Sequence, residues 1–139
     1  MWESPFRPNE LSMATSVIVS IGPGDFRLTQ SVVDENVLLV EARGELDIST
    51  TPALRATLEA GVDEGHRQIV VDLSEVSFID SVGLAAIVTA RHRLGDEGRL
   101  AVVVDPNSYA TLIIEVAGVD SLIGIVHTRD QALAVVRAD

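Results

Sequence analysis

The sequence predicts an α/β fold in which a mixed sheet of about four or five strands is packed with about four helices. Three observations carry that reading. Two short apolar runs lie either side of the turn formers Asp34, Glu35 and Asn36, as in a hairpin. Beyond them, strand-length apolar runs alternate with segments of helical periodicity, the pattern of strand and helix packed in layers. With 139 residues, 47% of them hydrophobic, the chain suffices for one domain with a substantial core and is too short to expect two.

Residues 1–25 mix Pro, Asn, Ser and Gly around one apolar patch, Val17 to Ile21, and are expected to form a loosely ordered extension with at most a short strand; the domain is expected to span 26–139. Leu28 to Val33 and Val37 to Ala42 are the hairpin strands. After Gly44, the segment GELDIST reaches Thr51 and Pro52, read as a cap followed by proline at the first helical position, where a missing N–H does no harm. Leu54, Leu58 and Val62 then mark one helical face. Val70, Val71 and Leu73 read as a strand buried on both faces, followed by a short polar loop, with Phe78 and Ile79 returning to the core. The next helix opens at Asp80 or Ser81, either of which can cap it. Gly83 leaves its first turn uncovered, and Leu84, Ile87, Val88, Arg91 and Leu94 recur at helical spacing.

A turn at Gly95 to Gly98 leads to a strand over Leu100 to Val104. A helix beginning at Pro106 is expected to bury Tyr109, Leu112, Ile113 and Val116, and Gly118 is placed to close it in a left-handed conformation. Leu122 to Val126 reads as a last strand. Thr128 and Gln131 have capping-box spacing before a helix with Leu133 and Val136 on its inner face. The expected core joins Leu39, Val71, Val102 and Ile125 of the sheet to Leu54, Leu58, Leu84, Val88, Leu112 and Leu133 of the helices.

Composition narrows the function classes. The formal net charge of −11 opposes binding to nucleic acid or an anionic membrane, which need clustered positive charge, and is compatible with a basic protein partner. There are no cysteines, which removes disulfides and thiolate metal sites and fits a reducing compartment. Every basic residue is arginine, a bias consistent with a GC-rich bacterial genome. No apolar run approaches the roughly 18 residues of a membrane span, and MWESPFRPNE lacks the basic and apolar regions of a secretory signal. A cytoplasmic location is expected. His66, His92 and His127 lack metal-site spacing, so no metal or cofactor is expected. There is no GxxxxGK and no lysine, and no nucleophile stands beside a general base, so no enzymatic activity is expected.

IDSVGL at Ile79 to Leu84 resembles the DSSGL or DSTGL loop of the STAS domain, the anti-sigma factor antagonist family, and GELD at Gly44 to Asp47 and VDLS at Val71 to Ser74 are similar to the family's two other signatures. The likeness runs from about Phe26 to the C-terminus. It implies a binding module that docks through this loop and its helix on an anti-sigma factor of ATPase-kinase fold, releasing a sigma factor for transcription. Asp47, Asp80, Ser81, Val82, Gly83 and Leu84 are the contact residues so implied, on a monomer or weak dimer. The resemblance also implies that Ser81, directly after the loop aspartate, is a phosphate acceptor whose modification ends the interaction. The departure is Val82, where the family usually has a second Ser or Thr.

Each of these readings has a plainer alternative. Asp47 could merely break a strand, and Asp80 and Ser81 could serve only as a helix cap. Asp72, at a buried strand, is expected to bond loop amides, because buried carboxylates need donors. The alternative function is a ligand-sensing or scaffold STAS module that binds a nucleotide or other small anion at the Ser81 helix start, or joins a larger signalling complex.

Overall fold

A computed structural model describes residues 18–137 of the chain. The sheet strands are β1 (Ile18–Ile21), β2 (Arg27–Val33), β3 (Val37–Leu46), β4 (Gln68–Ile79), β5 (Arg99–Val103) and β6 (Gly124–Val126). The helices are α1 (Thr51–Asp63), α2 (Ser81–Leu94), α3 (Tyr109–Ala117) and α4 (Arg129–Arg137), with a 3-10 turn at Val119–Ser121 after α3. The six strands lie side by side in chain order. β1, β2 and β3 are antiparallel, whereas β3 to β6 all run parallel. The mixed sheet and four helices are as expected, and β1 supplies the sixth strand. Ile18–Ile21 pairs with Arg27 to Gln30, so the sheet begins inside the stretch read as an extension; residues 1–17 of that stretch lie outside the described residues.

The three parallel crossovers step in one direction along the sheet, so a common handedness puts α1, α2 and α3 on the same face. Leu54 and Leu58 of α1, Leu84 and Ile87 of α2, and Ile114 of α3 are buried there against Leu38, Val40, Ile69, Val71 and Val102. The side-chain period of two sends Val37, Leu39, Val70, Ala101 and Val103 to the other face, where α4 covers them with Ala132 and Val136. Thr128 Oγ1 accepts the Gln131 N–H at 3.1 Å, and Gln131 Oε1 reaches back to the His127 N–H at 2.9 Å, so the expected cap forms with its return bond one residue early.

Several expectations are corrected. Ser74 to Ser77 is no loop: β4 is one continuous strand whose outer half, beyond the last β5 pair at Asp72 and Val103, pairs with β3 alone and exposes Ser74, Glu75 and Ser77. α1 starts at Thr51 with Thr50 as its N-cap residue, one position earlier than expected. α3 starts at Tyr109, capped by the Ser108 hydroxyl, which accepts the Thr111 N–H at 3.1 Å. It buries Ala110, Thr111 and Ile114, leaving Tyr109, Leu112 and Val116 exposed. YATLIIEVA is apolar at nearly every position, so its period selects no face, and only the fit against the sheet does. Leu122 is likewise exposed beyond the 3-10 turn, outside β6. Val88, Ile125 and Leu133 are half-buried supports of the core instead of its centre.

Candidate functional site

β3 and β4 end level with each other. Leu46 pairs with Ile79, and the Asp80 N–H donates to the Leu46 carbonyl at 3.1 Å, which holds Asp47 and Asp80 at neighbouring ends of parallel strands. The carboxyl ends of parallel strands are where open α/β sheets present loops to their ligands. The GELD corner and the Asp80 helix start, far apart in sequence, are therefore one surface.

The Asp80 carboxylate settles which residue caps α2. Its Oδ1 accepts the Gly83 N–H at 2.9 Å, and its backbone is extended while Ser81 is already helical. The Ser81 hydroxyl is thereby left without a capping duty. Ser81 is exposed, and its side chain enters no hydrogen bond among the described residues. Val82 beside it is 37% exposed. Gly83 and Leu84, the next two residues that the resemblance implies as contacts, are buried behind them. A Cβ on Gly83 would stand 2.8 Å from Ile79 Cγ1 and 3.4 Å from Leu46 Cβ, so glycine there lets the first turn of α2 sit directly on the ends of β4 and β3.

Asp47 organises the neighbouring corner. Its Oδ1 accepts the Ser49 N–H at 2.9 Å, the Ser49 hydroxyl at 2.6 Å and the Thr50 N–H at 3.2 Å. The Ser49 hydroxyl first, then the Ser49 amide, hold this carboxyl below its ordinary value. Thr50, absent from the sequence reading of the site, is buried behind it: its hydroxyl donates to the Glu45 carbonyl at 2.7 Å and accepts the Asp47 N–H at 2.9 Å. Asp47 thus terminates β3 in an ordered turn and keeps its second oxygen free of the bonds made within the corner.

Asp72 has a different setting, deep in β4 on the α4 face. It bonds the Ser74 amide, as expected of a buried carboxylate, and also faces a cation that sequence reasoning missed: Arg129 Nε lies 2.8 Å from its Oδ2. The same guanidinium pairs with Glu41 of β3, tying the start of α4 to two strands. Nothing in the spacing of residues 41, 72 and 129 signals this triad. Burial pushes the Asp72 carboxyl up, but the Ser74 hydroxyl, Arg129 and the Ser74 amide outweigh it and hold the group below its ordinary value.

Among the described residues no group of three or more His, Asp or Glu side chains could hold a metal ion, and no helix is long and apolar enough to cross a membrane.

With this geometry in hand, similarity to known proteins is informative. The family described as STAS domain matches residues 29–132. The anti-sigma-F factor antagonist RsfB of Mycobacterium tuberculosis is 31% identical over 111 residues, covering 79% of this chain and 90% of the relative. The anti-sigma-B factor antagonist of Staphylococcus aureus is 29% identical over 86 residues, 62% of this chain and 80% of that one. Among solved structures, an anti-sigma factor antagonist from Mycobacterium paratuberculosis superimposes with a TM-score of 0.76 at 31% identity, covering 85% of this chain and 99% of that one.

Proposed function

The chain belongs to the STAS domain family, and from that premise we propose that it is an anti-sigma factor antagonist: it binds a kinase-fold anti-sigma factor through the Asp47 corner and the start of α2, releases a sigma factor, and is switched off by phosphorylation of Ser81. The observation that carries the switch is the division of labour at the helix start. Because Asp80 supplies the cap, the Ser81 hydroxyl stands exposed beside it. A phosphate there adds about −1.5 to −2 charge next to Asp80 on a chain already at −11, and puts a strongly hydrated group where the partner must sit. The helix N-terminus stabilises that phosphate by roughly 0.3 to 1 kcal/mol, so the modified domain stays folded while the contact is lost.

Val82 offers no second hydroxyl, which makes Ser81 the single acceptor of the loop. The reading in which a free anion binds the same helix start has less support, because the Asp80 carboxylate already takes the Gly83 N–H and repels a second negative charge.

Intact mass after incubation with the cognate kinase-fold anti-sigma factor and ATP tests the switch. Wild type gains one phosphate, Ser81→Ala gains none and still binds, and Ser81→Asp fails to bind without treatment. Wild type left unmodified beside an active kinase control, or phosphorylated elsewhere, overturns the Ser81 assignment.

A further inference from the structure

Seven large apolar residues are exposed among the described residues, and five of them, all but Ile21 and Ile48, lie on or beside two helices. Tyr109, Leu112 and Val116 follow one another at helical spacing on α3, Leu122 lies just past the 3-10 turn, and Val82 adjoins Ser81. Isolated exposed apolar residues are ordinary, but a helix that turns three of them to water on one face presents an unpartnered surface.

That face is joined to the Ser81 surface in two ways. The Tyr109 ring stacks on Phe78, with centroids 6.2 Å apart and planes 10° from parallel, and Phe78 is three residues before Ser81 in the strand that leads to it. On the other side, Val82, Ala85, Thr89 and His92 form the outward stripe of α2, and Thr89 and His92 line a recess of about 360 Å³ together with Val88, Arg91 and Leu122. A surface thus runs from the proposed phosphate-acceptor position along α2, where Thr89, Arg91 and His92 make it polar, to the apolar face of α3.

The charges around it indicate what covers it. Between Asp105 and Leu122 every charged residue, Asp105, Glu115 and Asp120, is a carboxylate. A second copy of the chain would bring the same acidic rim and another −11 of charge against it, which opposes self-association through this face. A partner carrying an apolar surface with a basic rim is complementary.

Resting on the antagonist reading above, we infer that the exposed face of α3, with Tyr109, Leu112 and Val116, is a second docking surface for the same anti-sigma factor, and that its contact is an apolar strip with basic residues at its edge. The Ser81 end then carries the switch, and the α3 face supplies apolar affinity that phosphorylation does not touch.

The test titrates the full-length chain against the cognate kinase-fold anti-sigma factor by calorimetry, with sedimentation of each variant alone. The double variant Leu112→Ser, Val116→Ser should bind at least tenfold more weakly with an unchanged thermal midpoint, since both residues are exposed. Ile21→Ser, an equally exposed apolar residue on the edge strand β1, should bind as wild type. Glu115→Arg should weaken binding and flatten its salt dependence. If wild type binds tightly and the double variant binds equally well, the α3 surface is refuted while the antagonist reading stands. If wild type itself does not bind, the antagonist reading fails and the docking surface with it. If wild type self-associates and the double variant does not, the occupant is a second copy and the inference is overturned.

Discussion

Asp47 and Asp72 build the same local device in two places. Each opens an Asp-x-Ser sequence, and in each the Oδ1 atom accepts the serine amide at 2.9 Å and the serine hydroxyl at 2.6 Å. At Asp47 the device turns the chain out of β3. At Asp72 it sits inside β4, where the pairing register with β3 slips between Glu41 and Arg43, and the carboxylate takes an amide that the interrupted ladder no longer needs. What separates them is burial and company. Asp72 is 5% exposed and ion-paired with Arg129, whereas Asp47 is partly open at the sheet end with one oxygen outside the corner's bonds. Identical local chemistry is a buried, ion-paired strut in one setting and a partly open strand end in the other, where we propose that it meets the partner.

The comparison breaks most readily at Asp72. Asp72→Ala removes the acceptor of the Ser74 amide and hydroxyl and leaves Arg129 paired with Glu41 alone, for which a loss of about 1 to 3 kcal/mol is expected. Urea denaturation measures it, and an unchanged midpoint would show that the buried corner is no strut. A smaller effect, about 0.5 to 1.5 kcal/mol, is expected for Arg129→Met, which keeps the Asp72 bonds from Ser74 and removes the cation and its own bond.

Acid sharpens the same contrast. Because the folded Asp72 carboxyl lies below its unfolded value, its stabilisation is present above the unfolded pKa of about 3.9 and is lost as pH falls through the lower folded value. In Arg129→Met, burial pushes the carboxyl up with less to oppose it, so the acid limb of the stability curve should move to higher pH. Stability curves of the two proteins that coincide from pH 6 down to 3 would remove Arg129 from the account.

The smallest effect on the fold, and the largest on function, is expected at Asp47. Asp47→Asn keeps an oxygen that can accept from Ser49 and Thr50, so the thermal midpoint should stay close to wild type while capture of the anti-sigma factor weakens. Asp47→Arg should weaken capture further by reversing the charge. Should both variants bind as wild type with their midpoints unchanged, Asp47 only terminates its strand, and the two corners differ in burial alone.

Legibility in the sequence followed the strength of local constraint. The hairpin about Asp34 to Asn36, the faces of α1 and α2, the left-handed Gly118 and the Thr128 cap were readable because each rests on neighbours within a few residues. The Ser81 loop was readable by its motif, but whether Asp80 or Ser81 caps the helix was open, since both residue types suit the position. The exposed face of α3 was misread because its nine residues carry almost no polar contrast.

The sequence by itself determined the order of the strands from β2 onward and of the four helices, since periodicity, turn chemistry and capping act over short spans. Tertiary structure alone decided that Gly83 and Leu84 are buried at the strand ends behind Ser81 and that Arg129 reaches across to Asp72 and Glu41. It also decided that the Asp47 corner meets the Ser81 helix start. Those facts depend on strand register and on which helix face the sheet accepts, and register is fixed by contacts between residues distant in the chain.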